Sequence, residues 1–390
     1  MKITFVLPYA GLQGGIRVIA IYADRLARRG HDVRVVSMPQ VFSLRHKIMS
    51  VLLGRGIPKP EPSYFDGSGV AHQVLDAPRP VTEHDVPDGD VVIATYYTTA
   101  PGVLALSKTK GAKAIFIQNY EVEPGKVNRD LDATWSMPLH KIVICKWLDE
   151  MARTRFGDAN ASLVPNSVDH AQFTAPPRQK QAAPTVGFVY SRFKMKGCKT
   201  TLRALEIVAR SLPSLRIVCF GSERPDFRLP LPSHAEFHYR PRQDQLRNHY
   251  SQCDVWVCGS VAEGFGLPLL EAMACRCPAV STRCGGPQDF VEEGITGHLV
   301  DVGDSIALAD RILQVLRLSP ERWRKMSNAA YRRATSENWD QATDQFERAL
   351  QRAVTRGGNG SLAAAASVSS RSLAPPLGPL GSPLEPKARG

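Results

Sequence analysis

Missing from this chain is any apolar run of the ~20 residues that a membrane-crossing helix needs, so no helical span is expected. Its first residues, Met1 to Tyr9, read as a strand rather than a signal peptide, and the expected location is the cytoplasm. No CxxC pair occurs among the eight cysteines. Cys275, Cys277 and Cys284 lie close together, but their spacing does not suit zinc, and Cys219 and Cys258 fall in apolar strands as small apolar side chains. The ten histidines form no metal pair on one helix face. The glycine-bearing turn Gly11-Leu12-Gln13-Gly14-Gly15 lacks the G-x-G-x-x-G order, which removes the main support for a dinucleotide site. Helix-turn-helix, zinc-finger and aromatic RNA-binding signatures are also missing, so nucleic acid is not an expected partner.

What is present begins with charge. The 49 Lys and Arg outnumber the 37 Asp and Glu, a net +12, which implies anionic company such as nucleotide phosphates or a phospholipid surface. Hydrophobic content of 43% over 390 residues leaves room for two cored domains. Apolar strands alternate with amphipathic helices, the pattern of parallel sheets covered on both faces. Strands are expected at 2–9, 31–36, 90–94, 114–117, 141–144 and 162–165, then at 186–190, 215–220, 237–239, 254–258 and 278–281. These make two Rossmann-like α/β domains, 1–173 and 185–336, joined by a polar, proline-rich linker at 174–184 and facing across a cleft. Helical patterns cover 304–317, 319–335 and 337–354, the last expected to pack back on the first domain. The Gly, Ser, Ala and Pro of 357–390 predict a disordered tail.

The most specific chemistry lies in Glu263-Gly264-Phe265-Gly266-Leu267-Pro268-Leu269-Leu270-Glu271, two carboxylates eight positions apart across a strand-to-helix turn. Pro268 is expected as the first helical residue, where a missing N–H costs nothing. Free N–H groups at that helix start, with the macrodipole, favour a phosphate. Glu263 in the loop and Glu271 one turn into the helix suit the vicinal hydroxyls of a sugar or ribose. The plainer alternative is that Glu271 only offsets the helix dipole and Glu263 is a solvated loop charge.

The segment from 185 to about 302 resembles the second domain of the retaining glycosyltransferases of family 4, the group 1 glycosyltransferases with the GT-B fold. The residues that carry the likeness are Ser191-Arg192-Phe193-Lys194-Met195-Lys196-Gly197, Glu263 to Ala274, Cys284-Gly285-Gly286 and Glu292 to Val300. The first half agrees more loosely, through Gly14-Gly15, Arg29 to Val33 and Val164 to Asp169. Within the family, Phe116-Ile117-Gln118-Asn119-Tyr120-Glu121 looks most like enzymes of bacterial surface-polysaccharide assembly, the rhamnan and O-antigen types. The resemblance implies that Arg192 and Lys196 hold the donor's diphosphate and meet the leaving group's charge without a metal or other cofactor. It implies that Glu263 binds the transferred sugar and Glu271 the ribose. The N–H groups of Gly264, Phe265, Gly266 and Leu267 would then line the sugar and phosphate, and Gly15 would bring backbone close to the phosphates.

Three departures stand out. Gln118 and Asn119 occupy the acceptor-side strand end where many members have histidine, and neither is a base near neutral pH. Arg276 replaces the usual glycine after the helix, and Asp289 a usual glutamate. The strings Asp88-Gly89-Asp90 and Asp130-Leu131-Asp132 are read as solvated turn and loop aspartates rather than a metal site.

The expected activity is transfer of a sugar from a nucleoside diphosphate to a hydroxyl of a saccharide or lipid-linked saccharide at the inner membrane face. Rival readings are a sugar-nucleotide epimerase or phosphorylase on the same fold, and a catalytically silent nucleotide-sugar-binding subunit. Residues 43–59 interleave Arg45, Lys47, Arg55 and Lys59 with Ile48, Met49, Val51 and Leu52. That pattern suits peripheral contact with an anionic membrane, or else a helix packed on its sheet.

Overall fold

The computed structural model describes residues 1–42, 44–52, 54, 56, 60–120 and 128–358, without the side chains of 44–47 and 358. The first domain runs β1 (Lys2–Leu7), α1 (Gly14–Arg28), β2 (Asp32–Ser37), α2 (Leu44–Leu52), β3 (Ala71–Val74), β4 (Val91–Ala94), α3 (Ala100–Ala105), β5 (Ala112–Ile117), α4 (Arg129–Ser136), β6 (His140–Val143), α5 (Lys146–Thr154) and β7 (Ser162–Leu163). The second runs β8 (Thr185–Val189), α6 (Cys198–Ser211), β9 (Arg216–Gly221), β10 (Glu236–Tyr239), α7 (Leu246–Ser251), β11 (Val255–Cys258), α8 (Leu267–Ala274), β12 (Ala279–Thr282), β13 (Gly297–Val300), α9 (Ser305–Leu316) and α10 (Pro320–Ala334), and α11 (Trp339–Gly358) closes the described chain.

The strands read as unbroken apolar runs because both faces of each sheet are covered: all four residues of β4 are buried. α1 lays Ile16, Ile19, Tyr22, Ala23 and Leu26 on the first sheet at helical spacing, and Gly30 ends it with φ +87°. The first sheet is ordered β3-β2-β1-β4-β5-β6-β7 and the second β10-β9-β8-β11-β12-β13, parallel throughout. Each order reverses once, between β1 and β4 and between β8 and β11. Beyond the carboxyl ends at such a reversal, helices diverge to opposite faces and leave a crevice.

α11 returns to the first domain. Phe346 stacks on Tyr22 at 4.3 Å between centroids, and Trp339 meets Tyr22 edge-on at 5.5 Å. The helix runs on through Gly357 and Gly358, where a tail was expected, and a Cβ on Gly357 would lie 3.2 Å from that of Ala112. Residues 359–390 lie outside the described chain. The 174–184 stretch is fastened to the second domain rather than hanging free. Buried Asp254 accepts the Gln181 and Thr185 N–H groups at 2.8 and 3.0 Å, and Arg178 lies 4.7 Å over the Trp323 ring.

Two positions show tight packing setting residue choice. Arg276 takes φ +62°, which costs a non-glycine residue energy, and is held there by Ala175 O (2.8 Å), Asn328 (2.6 Å) and the Tyr331 ring (4.0 Å). Gly187 in β8 has the Trp256 ring where a Cβ would go, 2.2 Å away. Gly187→Ala is expected to destabilise the protein by about 1–3 kcal/mol, read as a lower urea midpoint at unchanged m-value.

Candidate active site at the domain cleft

Glu263 follows β11, and its loop is stitched to the one after β12: Glu263 N–H donates to Cys284 O at 2.7 Å, and Gly286 N–H to Glu263 O at 3.0 Å. The carboxylate receives Lys196 Nζ at 3.0 Å on each oxygen and Ser260 Oγ at 2.8 Å. Lys196 reaches it from the turn after β8, so residues at the carboxyl ends of the two strands flanking the reversal meet directly.

The first domain closes on the same loop. Trp147 Nε1 donates to Glu263 O at 3.1 Å, and a Cβ on Gly285, whose φ is +111°, would lie 2.3 Å from that nitrogen. Gln118 Nε2 donates to Gly15 O at 3.0 Å, and the Gln118 carbonyl lies against Gly264, 1.7 Å from where a Cβ would stand. Gly264 is therefore glycine because the first domain's strand end rests on it. The N–H groups of Gly264, Phe265, Gly266 and Leu267 find no acceptor among the described residues. Helix α8 begins at Leu267 after Gly266 (φ +89°), so Pro268 is its second residue rather than its first, a position where the N–H also has no intrahelical partner.

Arg192 is not brought to Glu263. Its guanidinium pairs with Glu223 and Asp226, each at 3.0 Å, and those hydrogen bonds raise its pKa further. Lys194, next to it, is exposed. Glu271, with its side chain 3% exposed, accepts Tyr250 Oη at 2.7 Å and pairs with Arg17 of α1. Burial opposes the charge on Arg17 and the carboxylate favours it, with a net upward displacement. Burial, then Glu271, push the Tyr250 phenol well above its usual range, which keeps its proton for that hydrogen bond. Arg17, Tyr250, Trp147 and Ser260 carried no sequence signal of their own. Arg17 and Trp147 sit on amphipathic helices and reveal their role only once the two domains meet.

Of the four aspartates in the two strings, Asp88, Asp90 and Asp130 are exposed and Asp132 is buried. Asp88 holds Thr109 and Lys110 at 2.9 Å, and Asp90 caps Lys2 N–H at 2.7 Å. Asp130 and Asp132 lie in α4, not a loop, because Asn128 caps its start; buried Asp132 takes the Tyr120 hydroxyl at 2.6 Å and Arg155 at 3.0 Å. No group of three metal-ligating side chains occurs among the described residues. Asp289 accepts the Lys146 N–H at 2.9 Å and so joins the domains at the start of α5.

Two parallel-sheet, Rossmann-like domains facing across such a cleft are the GT-B architecture. The chain superposes on sucrose-phosphate synthase from Thermosynechococcus elongatus with TM-score 0.68 at 16% identity, covering 91% of this chain and 100% of that one. Anabaena HepE in complex with UDP-glucose gives TM-score 0.68 at 15% identity, covering 90% and 100%. Residues 171–333 match the family described as "Glycosyl transferases group 1". N-acetyl-alpha-D-glucosaminyl L-malate synthase of Bacillus anthracis is 41% identical over 76 residues, 20% of each chain. D-inositol 3-phosphate glycosyltransferase of Mycobacterium tuberculosis is 34% identical over 169 residues, 39% of this chain and 35% of the relative. The match thus spans between a fifth and about a third of the length of these curated relatives.

Proposed function

We propose that the protein is a glycosyltransferase that takes a sugar from a nucleoside diphosphate sugar and passes it, with retained configuration, to a hydroxyl of a saccharide or lipid-linked saccharide in surface-polysaccharide synthesis. The observation that carries this is the Lys196–Glu263 pair at the β8/β11 reversal, with the Gln118 carbonyl of the facing domain resting on the adjacent Gly264. Next to it, the N–H groups of 264–267, without an acceptor among the described residues, and the start of α8 suit phosphate. Structural neighbours crystallised with UDP-glucose, or with UDP and GlcNAc, support a sugar nucleotide as donor.

In this reading Glu263 accepts hydroxyls of the transferred sugar, Glu271 the ribose, and Lys196 and Arg192 take the diphosphate. Arg192 would exchange Glu223 and Asp226 for phosphate oxygens. The bond from the sugar's anomeric carbon to the phosphate oxygen breaks, the acceptor oxygen bonds to that carbon on the same face, and its proton goes to the departing phosphate. A side-chain base is then unnecessary, which fits Gln118 and Asn119 at the strand end.

The test is transfer from a panel of nucleotide sugars in EDTA, with product configuration read by NMR. The expected result is full turnover without divalent metal and an α-linked product from an α-linked donor. Abolition by EDTA with rescue by Mg²⁺, or an inverted product, would contradict the mechanism.

Contact with an anionic membrane is part of the proposal. On α2, Ile48, Met49, Val51 and Leu52 are 48–74% exposed rather than packed on the sheet, as a surface-lying helix requires. Arg55, Lys59 and the side chains of Arg45 and Lys47 lie outside the described residues. No described helix is long and apolar enough to cross a membrane.

A further inference from the structure

Glu271 is held from both sides of the cleft. Tyr250, in the second domain, donates to Oε2 at 2.7 Å, and Arg17, in the first, pairs with Oε1. Arg17 also donates through Nη1 to Gln243 at 2.7 Å, while its buried Nε has no acceptor among the described residues. A carboxylate offers about four lone-pair directions. Among the described residues two are taken, one on each oxygen. One stays open on each, the number that two vicinal hydroxyls require. The same edge of the cleft is fastened twice more, by Arg240 to Glu61 at 2.8 Å and by Gln243 to Tyr64 at 3.4 Å. With its side chain only 3% exposed, Glu271 can be reached by a ribose only when the domains part, and closure brings Arg17 back onto it.

We infer that Arg17 is a positioning residue for nucleotide recognition: from across the cleft it holds Glu271 so that both ribose hydroxyls are read only when the domains are closed. The inference rests on the proposed function, since it takes a nucleotide as the occupant. Arg17 itself does not touch the ribose. It fixes the rotation of the carboxylate, as a planar guanidinium does and an ammonium does less well.

Calorimetric titration with UDP, GDP and their 2′-deoxy counterparts tests it on wild type, Arg17→Gln, Arg17→Lys and the double variant Arg17→Gln/Glu271→Gln. Wild type is expected to prefer the ribose form of its nucleotide by roughly tenfold, the worth of one hydrogen bond to a charged group. Arg17→Gln should bind the ribose form about tenfold more weakly and lose that preference, with Arg17→Lys between them. If Arg17 acts through Glu271, the double variant should match Arg17→Gln rather than add to it. It also removes both buried charges, so it stays informative if the single variant unfolds. An Arg17→Gln protein that keeps the ribose preference, or binds more tightly than wild type, overturns the inference. A wild type that binds nucleotide without a ribose preference overturns the role of Glu271 beneath it, and a wild type that binds no nucleotide overturns the proposed function itself.

Discussion

Replacing Lys196 by alanine is expected to lower turnover by roughly two to three orders of magnitude, the loss seen when one preorganised charge-stabilising donor is removed. Lys196 is the cation already seated in the cleft, 3.0 Å from both oxygens of Glu263, where the leaving diphosphate and the transferred sugar would adjoin. Its removal takes away a point charge that matters most as the phosphate departs, so kcat should fall more than KM rises. Arg192→Ala should cost less, because its guanidinium must first leave Glu223 and Asp226. The side chain of Lys196 is 42% exposed, so the fold should survive, with circular dichroism and unfolding midpoint unchanged. Full activity in the Lys196→Ala, Arg192→Ala double variant would remove both from the reaction.

Gly264→Ala should cost roughly a hundredfold in kcat/KM, the scale of an ångström-sized misplacement at a reacting centre. The added methyl would stand 1.7 Å from the Gln118 carbonyl and 3.3 Å from the Asn119 Cβ, so the first domain can no longer settle on the loop that carries Glu263. Separation of the domains by a small angle relieves the clash. The expected pattern is therefore near-normal stability with a slightly larger radius of gyration in solution scattering. A strong loss of stability with normal kcat/KM would show that the contact serves folding and not closure.

Much of this was legible in the sequence because it is local. Parallel strands covered on both faces announce themselves as apolar runs, and Gly266-Leu267-Pro268 marks a helix start whatever surrounds it. β3 and β13 were not read as strands: Ala71-His72-Gln73-Val74 is a largely exposed edge with no apolar run, and Gly297-His298-Leu299-Val300 is short and lies within a motif. The disordered reading of Gly357 failed for a similar reason, since its place on β5 depends on tertiary packing. At the cleft, Lys196 and Glu263 are named by motif and the structure pairs them, but the partners of Glu271 carry no motif. Arg17 is 254 positions away in the chain, and only domain closure brings it there.

The central claim is that this cleft binds a nucleoside diphosphate sugar. It is tested most directly by thermal unfolding of the wild-type protein against UDP, GDP, ADP and dTDP and their common sugar conjugates, with Lys196→Ala alongside. One nucleotide family should stabilise wild type by about 2.7 kcal/mol when present at 100 times its Kd, and Lys196→Ala distinctly less at the same concentration. Wild-type unfolding that no nucleotide or nucleotide sugar moves at millimolar concentration, or an equal shift in Lys196→Ala, would contradict the account.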